Sequence, residues 1–163
     1  MMIEYTKCYL QISSNLYNMR KIIIDDTWRF PKTRRTDFTK EEMLDIIDFY
    51  LQYKPMLEGS ANEEDRLQFD PHDFTMLLYM YKMLDIDYID NMTKMKKKYG
   101  KRYVEELSKE KLDFLEIITV FTLIHRAERH SGGGWYDDCM TDGTYYNLLC
   151  RLEEIKKELE KEE

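Results

Sequence analysis

The stretch that decides the fold is KEKLDFLEIITVFTLIHRAERH, residues 109–130. Its apolar side chains cover more than one face of a helix, and they are Leu112, Leu115, Ile117, Ile118, Phe121 and Ile124. A helix that is apolar on more than one face is buried inside a protein. The stretch also contains Glu116 and falls short of the roughly 18 apolar residues that a membrane span needs. We therefore predict a central, buried helix that follows an N-cap at Ser108 and does not cross a membrane.

Apolar residues spaced three and four apart predict further helices on both sides of this one. A capping box at Thr39 and Glu42 starts one helix, Asp70 with Pro71 starts another, and Gly100 ends a third. The predicted helical segments are residues 3–24, 39–53, 70–84, 86–99, 109–130, 135–142 and 144–161. No long stretch alternates as a strand would. The sequence therefore predicts an all-α fold of six or seven helices in a single domain, residues 1–163.

The composition fits this organisation. Six glycines and three prolines are few for 163 residues and favour long elements, while 43% hydrophobic residues suffice for a core. We expect a basic and aromatic loop over residues 25–38 and an acidic loop over residues 58–69. Residues 155–163 are a charged end that we expect to fray.

The cysteines indicate a reducing compartment. Cys8, Cys139 and Cys150 are odd in number and never spaced C-x-x-C, so neither a disulfide framework nor a zinc site is expected. The first residues, MMIEYTKCYLQ, lack the apolar run of a secretory signal, which predicts a cytoplasmic protein. Because Asp137 and Asp138 would raise the pKa of the neighbouring Cys139, we expect that cysteine to pack rather than react.

The end of the central helix carries the candidate binding site. His125, Arg126 and Arg129 project from neighbouring positions on one helix and form a cationic corner. A glycine turn follows, and the next short helix would point its free N–H groups and positive dipole end toward that corner. Such an arrangement would bind a phosphate or carboxylate. The predicted ligand-binding residues are His125, Arg126, Glu128, Arg129, His130, Gly132, Gly133 and Gly134.

A purely structural interpretation of the same segment stays open. Cations in a last helical turn offset the helix dipole, and Glu128 can pair with either arginine. The glycines can serve only to cap and turn the chain.

Residues 122–152, TLIHRAERHSGGGWYDDCMTDGTYYNLLCRL, carry a resemblance. The block is similar to the bacterial and phage family known as domain of unknown function 6508, in which a helix ending in R-x-[ED]-R-F precedes a glycine turn, a short helix and a leucine-rich helix. The matching positions are Arg126, Glu128, Arg129, Gly132 or Gly133, Gly143, Leu148, Leu149 and Leu152. His130 stands where the family has phenylalanine. The resemblance implies the helix order and, from the genomes that contain the family, an accessory or anti-defence role, but no activity.

Motifs for catalysis or metal binding find little support. His125 and His130 are five residues apart and point about 140° from each other on a helix, so a shared metal is not expected. His72, in the first turn of its helix, is expected to be solvated or to cap. The SGGG segment lacks the lysine and the strand of a phosphate-binding loop. We expect no catalytic residue and no cofactor, and a hydrolase that uses Glu128 or His130 as a base is a third alternative.

Two basic stretches interrupt a chain whose net charge is −7. Both interleave cations with aromatic residues, and together they form a predicted partner surface of Trp28, Arg29, Arg34, Arg35, Lys96, Lys97 and Arg102. In the second stretch, Ile89, Met92 and Met95 occupy one side of the predicted helix and the lysines lie elsewhere. A solvated helix face also explains the lysines. The negative total charge opposes binding to nucleic acid, which we do not expect.

These observations lead to two hypotheses about function. The first is a small, cytoplasmic, non-catalytic protein that captures an anionic ligand, such as a nucleotide, or an acidic group at the helix end and glycine turn. The alternative is an inhibitor or regulator that binds a protein or nucleoprotein partner through the Trp28 loop and the basic surface from Lys94 to Arg102.

Overall fold

The computed structural model describes residues 35–58 and 69–162, which lie within one compact unit, Thr33–Glu163. These residues form helices and loops with no strand, so the predicted all-α fold is confirmed. The helices are α1 (Lys40–Leu51), α2 (Lys54–Leu57), α3 (Pro71–Met80), α4 (Tyr88–Tyr99), α5 (Val104–Leu107), α6 (Phe114–His130), α7 (Trp135–Thr141) and α8 (Thr144–Lys161). The sequence does not predict the one-turn helices α2 and α5. The predicted helix over residues 3–24 lies outside the described residues.

Helix α6 is the centre of the fold, as its apolar residues predict. Ile117, Ile118 and Ile124 are fully buried, and the helix contacts α3, α4, α7 and α8. Leu115, on the flank of the helix, is only half-buried. Burial of one wide face against four neighbours is what orders this part of the chain.

The start of α6 differs from the prediction. Asp113, and not Ser108, is the N-cap, because the Asp113 carboxylate accepts from the Glu116 amide at 2.8 Å and the Glu116 carboxylate accepts from the Asp113 amide at 2.9 Å. Ser108 is buried after α5 and donates to the Glu105 carbonyl at 2.6 Å. Leu112, fully buried in the intervening loop, fixes the approach to the helix.

Helix α3 ends at Met80, four residues before the predicted end at residue 84. Lys82 adopts a left-handed conformation with φ 55°, and the Met83 amide donates to the Leu78 carbonyl at 2.8 Å. The Lys82 amide donates to the Tyr79 carbonyl at 3.2 Å, which completes a Schellman motif. Lys82 occupies the left-handed position at which glycine is usual, and this is why the sequence does not predict the end of α3 at Met80.

Aromatic rings from four helices fill the core next to α6. Tyr50 of α1, Phe74 of α3 and Phe121 of α6 meet with ring centroids 4.9–5.2 Å apart. Tyr145 of α8 joins them at 5.3 Å from Phe74. Tilted and edge-on ring contacts of this kind add to the stability that apolar burial supplies.

Helix α8 runs along the outside of this core and contacts α1, α2, α6 and α7. The prediction that the charged end frays from residue 155 is wrong, because the helix continues through Lys161 and Lys156 pairs with Asp48 of α1 at 2.6 Å. In the described part of the chain, no helix combines the length and apolar character needed to cross a bilayer.

Candidate functional site

The glycine turn after α6 brings the start of α7 back against the end of α6. Gly132, Gly133 and Gly134 all have positive φ, at 79°, 103° and 98°. A residue with a Cβ is strained in this conformation, and at Gly133 an added Cβ would also lie 3.4 Å from a Glu128 carboxylate oxygen. Three consecutive glycines thus permit the turn that the sequence predicts.

Glu128 occupies the N-terminus of α7. Its carboxylate accepts from the amide of Tyr136 at 2.9 Å and from the amide of Gly134 at 3.3 Å. These are the groups that the sequence assigns to an external anion. A carboxylate of the chain therefore already lies at the positive end of the helix and binds two of the amides of the predicted anion site. Glu128 is also one of the two bases of the hydrolase alternative, and both of its carboxylate oxygens accept from these amides.

His125 lies in the core and takes no part in an exposed cationic corner. Its Nδ1 lies 3.1 Å from the Tyr136 hydroxyl and 3.4 Å from the Thr75 hydroxyl, and its Nε2 lies 3.2 Å from the Tyr79 hydroxyl. A neutral imidazole accepts at one nitrogen and donates at the other, so these hydroxyls satisfy both. Burial, and then the charges of Arg126 and Arg129, lower the pKa of His125 to about 4.

The remaining residues of the predicted corner differ in exposure. Arg126 is half-buried, whereas Arg129 and His130 are exposed. Both arginines are close enough to depress the pKa of His125, so positive potential does exist at the end of α6. The structure therefore leaves Arg129 and His130 exposed at the end of α6, buries His125 in the core, and binds the Gly134 and Tyr136 amides to Glu128.

Among the basic residues of the first stretch, Arg35 is the one that lies within the described residues. Arg35 donates to Glu42 at 2.6 Å and to Asp37 at 3.0 Å, and its guanidinium lies 4.7 Å from the centre of the Phe38 ring. Glu42 also accepts from the Thr39 amide at 3.0 Å in the predicted capping box, which is confirmed. Arg35 thus supports the start of α1 and is not a free contact on a partner surface. Trp28, Arg29 and Arg34 lie outside the described residues.

The second basic stretch lies in the second half of α4 and just after it, and its lysines differ in their contacts. Lys98 pairs with Glu116 at 2.7 Å, and Lys101 lies 3.6 Å from Glu110, so both are neutralised against neighbouring segments. Lys96 and Lys97 are exposed, and neither forms an ion pair with a residue in the described ranges. These two cations remain available for contact.

Ile89 does not lie on the buried side of α4. Met92 and Met95 are buried, as predicted, but Ile89 is 64% exposed. Tyr103, just after α4, is 60% exposed, with the Arg102 guanidinium 5.6 Å from its ring centre. Ile89 and Tyr103 are the exposed large hydrophobic residues among those that the structure describes.

Helical spacing connects these exposed groups. Residues at i, i+4, i+7, i+8 and i+11 share one face of a helix. We call the set that starts at Ile89 the α4 stripe, and its members are Ile89, Thr93, Lys96, Lys97 and Gly100. The exposure of Ile89 is the signal that the sequence analysis missed, because the spacing of Ile89 and Met92 fits a common face as well.

A cavity of about 350 Å³ lies between α8 and the segment that joins α5 to α6. Its lining includes Ser108, Lys109, Lys111, Asn147, Cys150 and Arg151. Lys109 pairs with Glu105 at 2.7 Å, and Arg151 pairs with Glu154 at 2.8 Å and Glu158 at 3.1 Å. The charges of this cavity are thus balanced within the chain.

Cys139 is a packing cysteine, as predicted. It is 3% exposed, and burial raises the pKa of its thiol to about 12, with smaller contributions from Asp142 and Asp138. Across residues 35–58 and 69–162, no group of three or more His, Cys, Asp or Glu side chains is arranged to hold a metal ion. The resemblance to the family known as domain of unknown function 6508 stays a prediction. No protein-family model, curated protein or solved structure matches this chain.

Proposed function

We propose that this protein is a non-catalytic binding protein that regulates an acidic partner protein through the basic surface of α4. The observation that carries the proposal is the exposure of Ile89, at 64%, on the α4 stripe that also contains Lys96 and Lys97, with Tyr103, at 60% exposed, three residues after the last member of the stripe. Exposed large apolar groups next to cations without counter-ions are typical of contact surfaces, since both gain free energy when a complementary partner covers them.

The charge distribution supports this choice. The chain has a net charge of −7, yet residues 88–102 contain six basic side chains and only one acidic residue, Asp90. The local positive field attracts an acidic surface, whereas the negatively charged remainder of the molecule repels it. The two effects together favour one orientation of encounter.

Capture of a small anion at the end of α6 has less support. Arg126 and Arg129 supply positive charge there, but the Glu128 carboxylate takes the α7 amides at 2.9 Å and 3.3 Å. A phosphate would have to displace that carboxylate or bind chiefly to Arg129, which is exposed, and exposed ion pairs contribute little. The cytoplasmic location and the accessory or anti-defence role remain parts of this proposal.

Polyglutamate tests the proposal. Fluorescence anisotropy of a labelled 25-residue polyglutamate would be measured against the wild type, the double variant Lys96→Glu/Lys97→Glu and the control Lys157→Glu/Lys161→Glu on α8. The control makes the same change of net charge at exposed lysines outside the stripe. We expect the stripe variant to weaken binding about 5- to 30-fold and the control to weaken it less than about 2-fold.

Two results would contradict the proposal. Equal losses in the two double variants would mean that only net charge matters. No measurable binding of polyglutamate by the wild type at low ionic strength would remove the basis for an acidic partner.

A further inference from the structure

The α4 stripe changes in polarity along its length. Ile89 lies in the first turn, and Lys96 and Lys97 lie in the last turn, about 10–12 Å farther along the helix axis. Gly100 ends the helix with φ 64°, and no atom lies within 4 Å of the point where a Cβ would be. Arg102 and Tyr103 follow directly. The stripe thus offers an apolar contact at one end, cations toward the other, and open space beside those cations.

Polar groups within the stripe make few demands on a partner. The Thr93 hydroxyl donates to the Ile89 carbonyl at 3.0 Å, so its hydrogen is already used. A partner therefore needs acidic groups for Lys96, Lys97 and Arg102 and an apolar group for Ile89.

From this arrangement, which rests on the proposed function, we infer that the partner segment is an acidic α-helix antiparallel to α4. Acidic side chains are most stable in the first turns of a helix, where they complement the macrodipole. The cations of α4 lie toward its C-terminal end, so an antiparallel helix places its acidic first turns against them. An apolar residue two turns later in that helix then reaches Ile89, and the two helix dipoles oppose each other.

Nucleic acid fits the stripe less well than such a helix. Phosphates could contact the lysines and a base could stack on Tyr103, but a polyanion offers no aliphatic group for Ile89. The backbone charge would also continue past the cations toward Asp90, which is exposed next to Ile89. A helix can place its charges at one end only.

A second copy of this chain is also a poor occupant through its longest acidic helix. In α8, Glu153 pairs with Lys54 at 2.9 Å, and Glu154 and Glu158 pair with Arg151. Glu160 lies 3.9 Å from Lys156. Because these acids already have counter-ions, we assign the acidic helix to a different molecule.

Three labelled alanine-based helical peptides test the inference. The first has four glutamates in its N-terminal turns and a leucine seven residues after the centre of that acidic block. The second reverses the order of the acidic block and the leucine at the same composition. The third keeps the acidic block and replaces the leucine by alanine. Binding to the wild type, Ile89→Ala and Lys96→Glu/Lys97→Glu would be measured by anisotropy.

We expect the first peptide to bind the wild type about 10-fold more tightly than either of the others. Ile89→Ala should remove the advantage of the first peptide over the third and leave the third unchanged. The side chain is 64% exposed, so the variant folds, and a thermal melt checks this. The lysine double variant should weaken all three peptides.

The outcomes separate the inference from the function on which it rests. Equal binding of the three peptides, with sensitivity to the lysine variant, overturns the ordered helix and leaves acidic-partner binding intact. Failure of all peptides and of polyglutamate overturns both. Tighter binding of a single-stranded DNA 25-mer than of the first peptide overturns the choice of a protein. Self-association in sedimentation velocity that Lys96→Glu/Lys97→Glu abolishes overturns the assignment to another molecule.

Discussion

The His125 imidazole belongs to the core because three hydroxyl groups surround it and burial disfavours its charged form. The sequence contained a signal for this position, since His125 follows Phe121 by four residues and Ile118 by seven, on the buried face of α6. Its partners, however, come from other helices, with Thr75 50 residues away in the chain. The spacing of residues within one helix does not reveal partners from other helices. This is why that spacing alone groups His125 with Arg126 and Arg129.

The depressed pKa of His125 predicts a stability that falls on acidification. The unfolded chain takes up a proton near pH 6.5 and the folded protein only near pH 4, so the folded state is favoured less as the pH falls through this window. Between pH 7.5 and pH 5 this group should lower the free energy of unfolding by about 2 kcal/mol. Urea unfolding at the two pH values would measure the change.

His125→Gln keeps a neutral polar group in place and should lose this part of the pH dependence. His130→Gln is the matched control, because His130 is exposed and should leave the wild-type dependence unchanged. If His125→Gln loses as much stability as the wild type between pH 7.5 and pH 5, His125 is not the titrating group.

Among the helices, a terminus with one local sequence signal was predictable, and a terminus with two competing signals or with none was not. The capping box at Thr39, the Asp70 N-cap and the Gly100 C-cap are all present. The predicted start of α6 was wrong because Ser108 and Asp113 are both good N-caps, and the choice between them depends on the burial of Leu112. The predicted end of α3 was wrong because a lysine at position 82 does not indicate a left-handed backbone conformation.

Lys82→Gly should therefore stabilise the protein. A residue with a Cβ is strained at φ 55°, whereas glycine adopts this conformation freely, although it also gains entropy in the unfolded chain. We expect a net gain of about 0.5–1 kcal/mol in the free energy of unfolding, measured with urea. Lys82→Ala is the control and should give no gain, since it removes the charge but keeps the Cβ. A destabilised glycine variant would show that the Lys82 side chain itself supports the turn.

For the molecule as a whole, apolar patterning predicted the all-α architecture, and charge patterning predicted the site only in part. Burial against several neighbours determines where α6 lies, and the apolar residues on more than one face of the helix predict that burial. Which cations lack a counter-ion depends on which acids lie across from them. Lys98 meets Glu116, 18 residues away, and Arg35 meets Glu42, whereas Lys96 and Lys97 meet no acid in the described part of the chain. Such pairings follow from tertiary packing and not from spacing.

The stability of the whole protein also distinguishes the two hypotheses about the arginine corner. A ligand that binds only the folded state raises the melting temperature with its concentration. Because Glu128 already caps α7, we expect inorganic phosphate and a panel of nucleotides at 5 mM to shift the melting temperature of the wild type by less than about 1 °C. Differential scanning fluorimetry would measure the shift, with sodium chloride at equal ionic strength as the reference.

Glu128→Gln makes this prediction sharper. The Gly134 and Tyr136 amides donate to different carboxylate oxygens, so the single amide oxygen of glutamine can accept from only one of them, and the negative charge at the start of α7 is lost; together these changes should lower the free energy of unfolding by about 1–2 kcal/mol. The substitution removes the negative charge that repels phosphate from the α7 N-terminus, so any stabilisation by phosphate should be larger in this variant than in the wild type. A concentration-dependent rise in the wild type that Arg129→Ala abolishes would instead support the anion site that the sequence predicts, with phosphate bound at the corner despite Glu128.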